Sequence, residues 1–210
     1  MSLSWELQSI EGGLVEVVTG CMFSGKTEEL IRQLKRAHLA KKSYQLFKPT
    51  IDNRYDSAEL VVSHSQQKLP STAVDEAQDI LSLVRPETHV VGIDEAQFFS
   101  PDLVDVVEAL ALAGKRVILA GLDTDWQGLP FPPMPQLLAI ADVIHKKYAV
   151  CTHCGNLATR TQRLVSSNKN ILVGAGEVYQ ARCRTHFNPP TRPKSLEDTP
   201  MTTPSPTFDM

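Results

Sequence analysis

The sequence predicts an α/β fold, in which a mostly parallel sheet is wrapped by helices and followed by a small cysteine-bearing appendage. Three observations predict it. Apolar, β-branched runs alternate with stretches of helical spacing up to Val150, the pattern of a doubly wound α/β layer. The octapeptide Gly20-Cys21-Met22-Phe23-Ser24-Gly25-Lys26-Thr27 joins the first apolar run to the first helical stretch. It satisfies every fixed position of the phosphate-binding pattern GxxxxGK[ST]. After Val150 the regular helices stop, and two pairs of metal-ligand residues appear.

Taken in order, residues 1–13 read as a short N-terminal arm. Strands are expected at Leu14–Thr19, Tyr44–Lys48, His89–Asp94 and Arg116–Gly121, with a further one at Val143–Val150. Runs such as Val90-Val91-Gly92-Ile93 and Val117-Ile118-Leu119-Ala120 are continuously apolar, as strands buried on both faces of a parallel sheet must be. Helices are expected at Lys26–Ala40, Asp75–Val84, Pro101–Ala113 and Pro135–Ala141. In the first, Leu30, Ile31, Leu34 and Ala37 share one face. Asp75 is placed to cap the second, and Ser100-Pro101 reads as an N-cap with a first-turn proline. The α/β domain therefore spans 14–150, a cysteine module 151–187 and a tail 188–210. The tail is rich in Pro, Thr and Ser and nearly free of apolar residues, so burial cannot offset its ordering entropy and disorder is expected.

The glycines of Gly20–Thr27 let successive backbone N–H groups turn inward toward a phosphate, and the following helix adds its positive N-terminal end. Lys26 is placed to reach the β- and γ-phosphates, and the Thr27 hydroxyl to bind Mg²⁺. Asp94-Glu95-Ala96-Gln97 closes a strand, where such folds offer a carboxylate to the metal. Asp94 fits that role through the water shell of the ion. Glu95 points differently and suits a general base beside the γ-phosphate. The same four residues resemble the acidic box of helicases, but a helicase needs two ATPase lobes or a ring and a basic track. This chain has room for one lobe.

Cys151-x-x-Cys154 and Cys183-x-x-His186 offer four soft or imidazole ligands in two close pairs, as tetrahedral Zn²⁺ requires. A complete set leaves no open coordination position, so the zinc is expected to be structural. Cys21 is a bystander in the phosphate loop. The 28 residues between Cys154 and Cys183 exceed what a plain zinc ribbon needs. They imply a long loop tied at its base, able to close over a small planar ligand, with Tyr179 as a wall.

With 210 residues, 42% of them hydrophobic, the chain has room for one full-sized domain plus an appendage. A net charge of −3 argues against a nucleic-acid surface. No apolar run approaches a membrane span. The N-terminal stretch has no basic-then-apolar leader pattern, so a cytoplasmic location is expected, with reduced cysteines.

These motifs, in this order, resemble the thymidine kinases whose P-loop domain carries a zinc-bound lasso. The resemblance covers roughly 13–187. It is carried by Gly20–Thr27, Ile51-Asp52-Asn53-Arg54-Tyr55, Asp94–Phe99, Leu122-Asp123 with Phe131 after it, the CxxC, the glycine-containing segment before Tyr179, and the CxxH. It implies a RecA-like P-loop domain with a small zinc-bound lasso domain. It also implies transfer of the γ-phosphate of ATP to the 5′-hydroxyl of thymidine or deoxyuridine, with Mg²⁺. Glu95 matches the catalytic base. Asp52, Asn53 and Arg54 match a loop near the phosphates and metal, and Gln97 joins the nucleotide-binding set. Met22, Phe98, Leu122, Trp126, Phe131, Thr161 and Tyr179 match the base pocket, and Arg163 matches a basic residue of the lasso near the phosphates. The lasso backbone at Asn170, Ile171, Leu172, Val173 and Gly174 is expected to bond the thymine edge. The resemblance further implies a homotetramer inhibited by thymidine triphosphate. Two positions depart from the pattern: Trp126 stands where phenylalanine is usual, and Ala175 replaces the second of two glycines. Both bear on the substrate pocket and leave the phosphate chemistry alone.

Overall fold

The computed structural model describes residues 12–50, 60–62, 68–165 and 176–189. In chain order the first half contains β1 (Leu14–Thr19), α1 (Lys26–Leu39), β2 (Tyr44–Pro49), β3 (Leu60–Val62), β4 (Lys68–Pro70), β5 (Thr72–Val74) and α2 (Ala77–Leu83). There follow β6 (Val90–Ile93), α3 (Leu103–Leu112), β7 (Arg116–Gly121), α4 (Met134–Ile140) and β8 (Val143–Lys146). The appendage holds β9 (Ala149–Val150), β10 (Leu157–Ala158), β11 (Arg160–Arg163) and β12 (Tyr179–Arg182).

Six strands form one sheet in the order β5-β2-β6-β7-β1-β8, and all five of its pairings are parallel. Parallel strands need crossovers, and the crossovers here bury both faces. On one face Val18 and Ile118 pack against Leu30, Ile31 and Leu34 of α1. On the other, Val15, Val17, Val117 and Leu119 pack against α2, α3 and α4 through Ile80, Val106, Val107 and Leu137. Each fully buried leucine or isoleucine contributes about 1.5–3 kcal/mol. The binary pattern of α1 is therefore what fixes its position over the sheet.

The predicted elements recur with shifted edges. The Val143–Val150 run breaks into β8 and β9, because after Lys146 the chain leaves the sheet and β9 pairs antiparallel with β10. The cap of α2 is Glu76, one residue after the expected Asp75, since Asp79 reciprocates in a capping box with Glu76. Helix α3 starts at Leu103 rather than Pro101; Ser100 and Pro101 form the turn that feeds it, accepting from the amides of Leu103 and Val104. The short strands β3, β4 and β5 were not expected. Beyond the sheet, β11 and β12 form an antiparallel hairpin with Arg163 opposite Tyr179 and Thr161 opposite Ala181.

Candidate active site and metal centre

The phosphate loop follows β1 at the carboxyl end of the sheet, where open α/β sheets bind ligands. Gly20 has φ 148°, and a Cβ there would lie 2.3 Å from the Lys147 carbonyl oxygen. Only glycine fits that approach. Gly25, with φ 77°, is the N-cap of α1, so the helix's positive end opens onto the loop. The Ser24 hydroxyl donates to the Cys21 carbonyl at 2.8 Å, and Lys26 Nζ donates to the same oxygen at 2.9 Å. An open cleft of about 570 Å³ runs from Ser24 and Gly25 along the outer face of α1 past Glu28, Arg32 and Lys147.

Across the loop stand the residues that follow β6. The Thr27 hydroxyl donates to Asp94 Oδ1 at 3.3 Å. A hydroxyl and a buried carboxylate from two elements are hard oxygen donors of the kind Mg²⁺ prefers. Glu95 sits in the left-handed region (φ 51°, ψ 42°), a conformation that costs a non-glycine residue about 1–3 kcal/mol and clusters at functional sites. Phe23 shares that region at φ 64°. The Gln97 amide makes two bonds within the protein: Nε2 donates to Glu95 Oε2 at 2.5 Å, and Oε1 accepts from the Leu122 amide at 2.9 Å.

The inner face of the β11–β12 hairpin closes on the phosphate loop. The Met22 amide donates to Thr161 Oγ1 at 3.0 Å, and the Cys21 thiol donates to the Ala158 carbonyl at 3.4 Å. Burial pushes that thiol up from its ordinary range, more than Lys26 draws it down, consistent with a bystander. The Arg163 guanidinium lies 3.9 Å from the Trp126 ring centroid and 5.7 Å from that of Tyr179, and it donates to the Tyr179 hydroxyl at 3.3 Å. Phe98 and Phe131 meet edge to face, 6.1 Å apart at 86°. The structure thus sets Asp94 against Thr27 of the phosphate loop, with Glu95 next in the chain, and ties Met22 to the hairpin that carries Thr161, Arg163 and Tyr179. Asp52, Asn53 and Arg54, and Asn170, Ile171, Leu172, Val173 and Gly174, lie outside the described residues, as do Ala175 and nearly all of the arm and the tail.

Cys151, Cys154, Cys183 and His186 present their ligand atoms within 4.8 Å of one another. The Cys154 and Cys183 sulfurs are 3.8 Å apart, and His186 Nδ1 lies 3.2 Å from Cys183 Sγ and 4.0 Å from Cys151 Sγ. Tetrahedral zinc has ligand–ligand edges of roughly 3.5–3.8 Å, so the four residues fit that ion. Desolvation raises the Cys151 thiol, but donors at the backbone of Cys183, His153 and Cys154 outweigh it and bring it down to about 5. The neighbouring Cys154 is raised, because the Asn156 backbone donor is outweighed by burial and by the adjoining sulfurs.

One group escaped the sequence reading. Glu16, fully buried in β1, is held by Arg116 Nε at 2.5 Å and His145 Nε2 at 3.3 Å, and Arg116 also donates to Gln33 of α1 at 2.7 Å. A lone acid inside Leu14-Val15-Glu16-Val17-Val18 was the available signal.

A family model for thymidine kinase matches residues 13–187. A thymidine kinase of Bdellovibrio bacteriovorus is 52% identical over 185 residues, covering 88% of this chain and 90% of the relative. Among solved structures, the genome-packaging NTPase B204 of Sulfolobus turreted icosahedral virus 2, in complex with ATP-gammaS, covers 69% of this chain and 77% of its own, at 20% identity and a TM-score of 0.39. That likeness is slight.

Proposed function

The chain belongs to the thymidine kinase family, and on that premise we propose how its site works. The enzyme phosphorylates thymidine, passing the γ-phosphate of ATP to the 5′-hydroxyl. The observation that carries the residue assignments is the Thr27–Asp94 contact at 3.3 Å, with Glu95 following Asp94 in a left-handed backbone. In our reading the backbone amides of Gly20–Thr27 cradle the phosphates, and Lys26 leaves the Cys21 carbonyl to meet the γ-phosphate. Thr27 and Asp94 would hold Mg²⁺, which when bound would neutralise charge on the phosphate oxygens. The nucleoside half of ATP extends into the cleft along α1.

Phosphoryl transfer asks mainly for alignment and charge stabilisation. The 5′-oxygen attacks the γ-phosphorus as the bond to the β–γ bridging oxygen breaks. ADP leaves with that electron pair, and Glu95 accepts the hydroxyl proton. Met22, Thr161 and Tyr179 border the thymidine side with Phe98, Leu122, Trp126 and Phe131, and Arg163 approaches the transferred phosphate. A flat pyrimidine suits aromatic walls.

Cys151, Cys154, Cys183 and His186 would hold zinc, which with a closed ligand set would supply structure only. A cytoplasmic location agrees with four free cysteines, and no helix among the described residues is long and apolar enough to cross a membrane. Tetramer formation agrees with exposed Ile144 on β8, the last strand of the sheet, and exposed Tyr148 just after it. End-product inhibition by thymidine triphosphate agrees with a thymine pocket adjoining a triphosphate loop.

Glu95→Gln tests the centre of this reading. It is expected to lower kcat for thymidine phosphorylation by about 10²–10⁴-fold while ADP binding, followed by calorimetry, stays within about twofold. Near-wild-type turnover would remove Glu95 from the role of base.

A further inference from the structure

We propose that Gln97 is the positioning residue of the general base, an assignment that rests on the reading of Glu95 above. Gln97 is 2% exposed, inside the short turn Ala96–Phe98 that follows Glu95. The Leu122 amide can only donate, so the end of the Gln97 amide facing it at 2.9 Å must be the oxygen. That contact settles the orientation which coordinates alone leave open. The other end, Nε2, is then a donor, and it meets Glu95 Oε2 at 2.5 Å. One planar group thus measures the distance from the end of β7 to the carboxylate.

Two features show that the arrangement is built in. Gly121 closes β7, and a Cβ there would lie 3.0 Å from Gln97 Oε1 and 2.6 Å from Met134 Sδ. Bare backbone at that point is what admits the amide against the strand. Glu95 itself holds a left-handed backbone, and the Phe98 amide donates back to its carbonyl at 3.0 Å. A donor aimed at one carboxylate oxygen suits the ionised form, the only form that can take a proton from the sugar alcohol. It also restricts rotation of the carboxylate, and general-base efficiency depends on such alignment. Each end of the Gln97 amide thus makes a hydrogen bond within the protein.

The test is a double-mutant cycle on the full-length enzyme, with Glu95→Gln, Gln97→Met, Gln97→Glu and the combination Glu95→Gln/Gln97→Met. Gln97→Met removes the donor at similar volume. Gln97→Glu keeps an acceptor for the Leu122 amide while setting a second carboxyl against Glu95, so one variant remains if the other does not fold. Both are expected to lower kcat by about 10–100-fold, with the KM for ATP and for thymidine and the affinity for ADP within about threefold of wild type. In the Glu95→Gln background, Gln97→Met is expected to change kcat less than about threefold, because a support has no effect once its base is gone. Wild-type kcat in both Gln97 variants would overturn the proposal, and so would full additivity in the cycle. A raised KM for ATP with kcat intact would instead make the amide a nucleotide ligand. Near-wild-type kcat in Glu95→Gln alone would fail the base assignment itself and this proposal with it, a result distinct from the others.

Discussion

The Trp126 indole lies 3.9 Å above the Arg163 guanidinium, itself only 7% exposed. A desolvated cation over an indole face gains about 0.5–2 kcal/mol, and the Tyr179 hydroxyl fixes the other side of the guanidinium. The tryptophan that departs from the family pattern therefore has a definite partner. Trp126→Ala is expected to raise the KM for thymidine by roughly 2–30-fold, the same energy range, with Trp126→Phe in between and the KM for ATP little changed. Steady-state kinetics on the two substrates check this. Equal effects on both would place the stack outside the acceptor pocket. At this scale the sequence was legible where chemistry is local. Gly20, Lys26, Thr27, Asp94 and Glu95 declare themselves within short motifs. The Gln97 clamp does not, because its second partner, Leu122, lies 25 residues away.

The element most changed by a distant partner is β1. Its Glu16 is fully buried beside Arg116 and His145. Burial pushes that carboxyl up, but hydrogen bonds from His145 and Arg116, with their charges, outweigh it and hold it below the ordinary 4.5. A carboxyl depressed on folding adds stability that is complete above its unfolded value. That stability is lost as the pH falls through the lower folded value. Thermal unfolding followed between pH 7 and pH 3 is therefore expected to show a loss on the acid side that Glu16→Gln flattens. At pH 7 the same substitution is expected to cost about 3–5 kcal/mol, since it leaves Arg116 facing a neutral amide. A pH profile parallel to wild type would rule the network out as the source. The apolar periodicity of β1, α1 and β7 gave their bounds to within a residue. The pairing of Glu16 with Arg116 spans 100 residues, and no local pattern encodes it. The edge strands β3, β4 and β5 were missed because three residues each are too few to show a period.

For the molecule as a whole, the metal module and the phosphate loop share one packed cluster: Cys21 with Ala149, Cys151, Ala158, Ala181 and Cys183. Cys151 and Cys183 belong to the Cys₃His cluster, and Cys21 is in the phosphate loop. Structural zinc supplies about 10–16 kcal/mol of apparent binding energy to small sites, so losing it should loosen more than the appendage. Elemental analysis is expected to give one zinc per chain. Cys183→Ser, or a strong chelator, is expected to lower the melting temperature and weaken ADP binding by about tenfold or more, an effect worth at least roughly 1.4 kcal/mol. Unaltered ADP affinity in a metal-free preparation would show the two parts to be independent. The CxxC and CxxH spacings made the four-residue cluster readable in advance, but nothing in them announced that it would abut Cys21. The bond from the Met22 amide to Thr161 Oγ1 carries a practical corollary. A chimaera that borrows β10 to β12 from a relative must bring a hydroxyl at position 161 and a small side chain at 158, or the transplanted rivet will not seat and the donor and acceptor halves will fall out of register.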